Sequence, residues 1–98
     1  MSGELIDGHE AQRIGLVNKV VAPEKVLEFS RDLAGKIANR APLAVQMGKK
    51  AVLKGSEMRL EDALDLEAHY AYLLSKTEDR AEGMTAFLEK REPVFKGK

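Results

Sequence analysis

The 98-residue sequence contains no cysteine. A disulfide framework, thiolate chemistry and a cysteine zinc site are therefore excluded. It has no surplus of either charge, since sixteen Lys and Arg balance sixteen Asp and Glu. Non-specific nucleic-acid binding needs a basic stripe, and a balanced chain of this kind does not supply one. No apolar run approaches the roughly 18 residues of a membrane span. No charged-then-apolar leader opens the chain, so no signal peptide is expected. Met1-Ser-Gly3 reads either as a true start or as a cut inside a longer chain. The eight glycines stand singly, mostly where helices end, so no glycine-rich phosphate loop is present. Ser2, Ser30, Ser56 and Ser75 lack the context of a nucleophile elbow. His9 and His69 are far apart and have no ligand-like partner one helical turn away, so each reads as a surface or packing histidine, and no metal site is expected.

The pattern that is present is helical. Asp7 is a good N-cap, and Glu10 follows at capping-box spacing. Gly15 closes that short helix. Leu16-Val-Asn-Lys-Val-Val21 is β-branched and apolar, the one convincing strand. A lone strand cannot satisfy its own backbone, which places its partner outside this chain. Pro23 opens a second helix, ending near Asn39 and Arg40, with Val26, Leu27, Phe29, Leu33, Ala34 and Ile37 on its apolar face. Pro42 opens a third, through about Leu53, flanked by Lys49, Lys50 and Lys54 and broken at Gly55-Ser56. A fourth runs from about Arg59 to Lys76. It carries two apolar stripes, one with Leu60, Leu64 and Leu74 and one with Leu66, Tyr70 and Leu73. A helix apolar on two sides touches two bodies.

The last quarter of the chain organises the reading. Thr77 caps a fifth helix. Glu78 and Asp79 place negative charge at its positive end, and Lys90 and Arg91 place positive charge at the other. Met84, Phe87, Leu88 and Arg91 share a face, and Pro93 stops the helix at about Glu92. A basic tail follows. The last ten residues hold Lys90, Arg91, Lys96 and Lys98 against Glu89 and Glu92. An aromatic beside ammonium groups suits a flat, phosphorylated ligand, against the plainer alternative of a helix packing its own domain. The acidic residues, among them the i,i+4 pairs Glu57/Glu61 and Glu78/Glu82, read as solvated. Paired carboxylates do acid–base work only where burial splits their pKa values. The expected architecture is mainly α, four to five helices with one short N-terminal strand, in a single domain of residues 1–98. A domain of this size buries roughly 60–70% of the surface its unfolded chain exposes.

The order of these pieces resembles the enoyl-CoA hydratase/isomerase (crotonase) superfamily. The resemblance is carried by Gly3-Glu-Leu-Ile-Asp7, Glu10-Ala11, Arg13-Ile-Gly-Leu-Val-Asn18 and Val20-Val21, then by Leu33-Ala34, Lys36-Ile-Ala38, Ala41-Pro-Leu-Ala44 and Lys49-Lys-Ala51. Leu64, Glu67 and the run from Thr77 to Arg91, with its Glu-Gly-Met-Thr-Ala-Phe-Leu-Glu-Lys-Arg end, complete it and point to the hydratase branch. The resemblance implies the C-terminal helical part of a crotonase-like α/β fold, a lid and oligomerisation region without the spiral core. The family's oxyanion hole and two catalytic glutamates would precede Met1, and the eleven glutamates present occupy neither position. No catalytic residue is therefore expected, and the chain alone should be inactive. The parent would hydrate 2-enoyl-CoA thioesters in fatty-acid or related acyl-CoA metabolism. It would need no cofactor beyond the coenzyme A thioester that is its substrate, and would form a homo-oligomer, a trimer or hexamer. No nucleic-acid or membrane partner is implied, and the expected location is the cytoplasm, or the mitochondrial matrix in a eukaryote. In hydratases, the aromatic and lysine of the Ala-Phe-Leu-Glu-Lys block approach the coenzyme A adenine and phosphates, often from an adjoining subunit. Those positions here are Phe87 and Lys90, and i,i+3 spacing puts both on one helix face. Ala71 stands where some hydratases carry a further aromatic, with Tyr70 and Tyr72 on either side. Two alternatives stay open: a freestanding helical acyl-CoA-binding or oligomerisation module, and the same region of a superfamily isomerase, hydrolase, dehalogenase or decarboxylase.

Overall fold

The computed structural model describes residues 3–98, so Met1 and Ser2, with the readings attached to them, lie outside the described residues. The described chain is helical: α1 (Gly8–Arg13), a 3-10 turn (Pro23–Lys25), α2 (Val26–Ala38), α3 (Pro42–Gly55), α4 (Leu60–Leu74) and α5 (Glu78–Glu89). It divides into two compact units, one through Leu33 and one from Ala34.

In the first unit, the Asp7 carboxylate accepts the Glu10 N–H at 2.8 Å and starts α1. Half of the expected capping box is present. The Glu10 side chain bonds instead to Arg13, at 2.7 and 2.6 Å. At the other end Gly15 takes φ 79°, the Gly15 N–H donates to the Gln12 carbonyl and the Leu16 N–H to the Ala11 carbonyl. This is a Schellman closure, with glycine at the left-handed position that a Cβ disfavours. The strand expected at residues 16–21 is not formed. Among the described residues there is no strand to pair with it, so its backbone bonds are made locally. The Leu16 and Val17 N–H groups both donate to the Ala11 carbonyl, and the Val20 N–H donates to the Gln12 side chain at 3.0 Å.

In the second unit, α3 packs against α4 across a short turn. The two approach closely where Gly55 meets Ala63, since a Cβ on Gly55 would lie 3.4 Å from the Ala63 methyl. Pro42 begins α3 as expected, because the first turn needs no N–H from it. Thr77 caps α5, its hydroxyl accepting the Arg80 N–H at 3.2 Å and donating to the Leu74 carbonyl at 2.8 Å. α5 ends at Glu89, three residues earlier than Pro93 alone dictates.

Side-chain burial is slight. The buried residues among those described are Ala11, Ala86 and one charged residue, Asp79. Large apolar side chains on every long helix are exposed, among them Leu33 and Ile37 of α2, Val52 of α3, Leu60 of α4 and Leu88 of α5. Isolated exposed apolar residues are ordinary, but whole helix faces left bare mark surface that another body covers.

Candidate functional site

α5 and the residues after it carry the candidate site. Lys90 caps the helix in the left-handed conformation, φ 56°. The Lys90 N–H donates to the Phe87 carbonyl at 3.3 Å and the Arg91 N–H to the Ala86 carbonyl at 3.0 Å. The bond pattern is the one that closes α1 at Gly15, but the left-handed residue is a lysine. A Cβ in that conformation costs roughly 1–2 kcal/mol. Lys90 is thus the cap of α5 rather than a residue on its last turn, and the regular i,i+3 register with Phe87 ends one residue early. Phe87 is 82% exposed, so in this chain it is no core aromatic. With Met84 and Leu88, also exposed, it forms a bare apolar patch ending at Lys90.

The basic tail is not loose. It doubles back along α5 and is pinned by two acids that the spacing had assigned to solvent. The Arg91 guanidinium grips the Glu82 carboxylate with two N–H groups, at 2.6 and 2.9 Å, and reaches Glu89 with a third at 2.7 Å. Glu82 also accepts the Val94 N–H at 2.8 Å. One turn earlier, Asp79 accepts the Lys96 N–H at 2.6 Å and the Gly97 N–H at 2.8 Å, while its own N–H donates to the Lys98 carbonyl. Asp79 is 3% exposed, its charge answered by these donors and by the N-terminal end of α5. Between the two anchors Phe95 lies over Gly83, where a Cβ would come within 3.5 Å of the ring. We call residues 91–98 the strap. The signal that could have revealed it was in view: acids at i and i+3 on the first two turns of α5, followed by a cationic segment short enough to return to them.

Electrostatics follow from these contacts. The Arg91 hydrogen bonds, with the Val94 N–H second, hold the Glu82 carboxyl down to about 2. Glu82, then Glu89, push the Arg91 guanidinium further above its usual range. Among the described residues Lys90 forms no ion pair.

A second concave feature lies between α3 and α4, an open groove of about 480 Å³. Met47, Ala51, Leu60, Leu64, Ala71 and Leu74 line it, with Glu67 as its one carboxylate and Tyr70 as its one hydroxyl. One of the two expected stripes of α4 therefore borders the groove, joined by Tyr70 from the other, whose Leu66 and Leu73 do not. A single carboxylate on an apolar wall cannot divide acid and base roles between two groups. His9 and His69 are both exposed. Among the described residues no group of three or more His, Asp or Glu is placed to hold a metal ion, and no helix is long and apolar enough to cross a membrane.

Comparison with known proteins agrees with this helical pattern. The family model for enoyl-CoA hydratase/isomerase matches residues 1–98. The 2,3-dehydroadipyl-CoA hydratase of Escherichia coli K12 is 44% identical over 98 residues, which are 100% of this chain and 38% of that one. The (E)-benzylidenesuccinyl-CoA hydratase of Thauera aromatica is 45% identical over 98 residues, 99% of this chain and 38% of its own. Among solved structures, an enoyl-CoA hydratase from Bacillus anthracis superposes with a TM-score of 0.90 at 37% identity, covering 93% of this chain and 35% of that one. An enoyl-CoA hydratase/isomerase from Mycobacterium paratuberculosis gives 0.92 at 33% identity, covering 99% and 38%. The chain thus spans about 38% of the length of the curated relatives it matches. With its whole length matched by the family model and its helices superposing on solved members, the chain belongs to the enoyl-CoA hydratase/isomerase family.

Proposed function

We propose that this chain is the C-terminal helical region of an enoyl-CoA hydratase-like enzyme, a lid and assembly piece whose reacting groups lie on another segment. The observation that carries the reading is the bareness of its helices. A 98-residue chain with two buried apolar residues among those described has not closed a core of its own. It also spans about 38% of relatives whose names are those of hydratases.

The chemistry supports the same division. Hydration of an enoyl thioester puts hydroxyl on C3 and a proton on C2, with negative charge passing through the thioester oxygen. It needs donors aimed at that oxygen and a positioned acid–base pair. Here Asp79 and Glu82 are occupied by backbone N–H groups and Arg91, and Glu67 stands alone on its groove. The chain's contribution to ligand binding is then Phe87, stacking on the adenine of coenzyme A, and Lys90, a point charge for its phosphates. The thioester is substrate, and the parent requires no resident cofactor. The bare faces meet the missing core and neighbouring copies in a trimer or hexamer working in the cytoplasm or the mitochondrial matrix.

The test is a hydration assay with crotonyl-CoA on this 98-residue chain. Absence of turnover is expected, and turnover well above background overturns the reading. The upstream coding sequence decides the reaction type: two glutamates in a glycine-rich context there are the mark of a hydratase, and their absence favours another superfamily reaction.

A further inference from the structure

The chain closes two helices with the same pair of backbone bonds. At α1 the left-handed residue is Gly15, φ 79°, and at α5 it is Lys90, φ 56°. A backbone conformation that glycine adopts without strain is held by a residue whose side chain strains it. Arg91, the next residue, is locked by both oxygens of Glu82 and by Glu89, and its Nη1 also donates to the Glu92 carbonyl at 3.2 Å. Glu82 further holds the Val94 N–H, so the chain is fixed on the far side of the turn. Arg91 occupies the carboxylates of Glu89, the residue before Lys90, and of Glu82, two turns back on α5.

We propose that Glu82 is a positioning residue: by gripping Arg91 and Val94 it fixes the left-handed turn at Lys90, and with it the point from which the Lys90 ammonium meets the phosphates of a purine nucleotide ligand stacked on Phe87. The inference rests on the reading of Phe87 and Lys90 given above. An ordered turn spares the ligand the cost of immobilising the lysine when it binds.

The experiment is titration of the isotope-labelled 98-residue chain with coenzyme A, followed by NMR at the Phe87, Lys90 and Arg91 amides. Lys90→Ala is expected to weaken binding. Glu82→Gln is expected to weaken it roughly three- to tenfold, the scale of re-ordering one flexible side chain. Arg91→Lys, which keeps the charge but loses the fork, is expected to follow it. Glu82→Gln added to Lys90→Ala is expected to weaken binding no further, since a positioning residue has nothing left to position. Lys90→Gly is expected to raise the thermal midpoint while weakening binding. If Lys90→Ala weakens binding but Glu82→Gln and Arg91→Lys bind like the parent chain, positioning is wrong and the ligand reading stands. The proposal is equally overturned if the double variant binds more weakly than Lys90→Ala. If the unaltered chain shows no shift at Phe87 and Lys90, or Lys90→Ala binds unchanged, the ligand reading itself fails and this inference with it. Should Glu82→Gln lose helix content, the Arg91→Lys arm decides.

Discussion

Asp79 shows what a single acidic side chain can do once it leaves solvent. Read along the helix it is a dipole-compensating residue of the first turn of α5. In the folded chain it is buried and takes two backbone N–H groups from the strap. Asp79→Ala leaves both donors without their partner, and a buried donor stripped of its acceptor costs about 1–3 kcal/mol. The expected result is a lower urea midpoint, with accelerated amide exchange at Lys96 and Gly97. Phe87 is the opposite case. Its ring is almost wholly exposed, so Phe87→Ala should change the stability of the chain by no more than about 0.5 kcal/mol in the same melt. Burial distinguishes these two residues, and neither burial follows from residue type alone.

At the scale of elements, the caps were legible. Asp7, Gly15, Pro42 and Thr77 act where their local chemistry says they should. The end of α5 was not: Lys90 closes it in the left-handed conformation with no glycine to mark the turn, and beyond it Arg91 pairs with Glu82, nine residues back. That contact gives the strap a pH dependence whose sign can be worked out. The folded-state pKa of Glu82, about 2, lies below its ordinary 4.5. Its contribution to stability is therefore complete above about pH 4.5 and is lost as pH falls through about 2. The Val94 amide should stay protected on acidification until that window and then exchange faster. Glu82→Gln should show no such transition at Val94. The expected strand at residues 16–21 failed for a related reason: β-branched composition proposes a strand, but only a partner makes one.

At the scale of the molecule, the bare helix faces dominate. Apolar side chains on α2, α3, α4 and α5 stand in water in the isolated chain, and exposed apolar area of this extent drives association. Sedimentation at increasing concentration should show species heavier than the 10.8 kDa monomer. Strictly monomeric behaviour with a melting transition as sharp as that of a closed domain would contradict the account of the chain as part of a larger fold.

The order of residues was enough to establish the family, the helices and most of their caps, because these depend on side chains a few positions apart. It also placed Phe87 and Lys90 together near the end of α5. The tertiary structure decided the rest: which acids are engaged and which are solvated, that the basic tail is a strap, and that Lys90 sits in a glycine's conformation. The engaged acids and the strap turn on contacts between residues 9 to 18 positions apart, beyond the reach of helical periodicity and capping, and the Lys90 turn closes with no glycine to announce it.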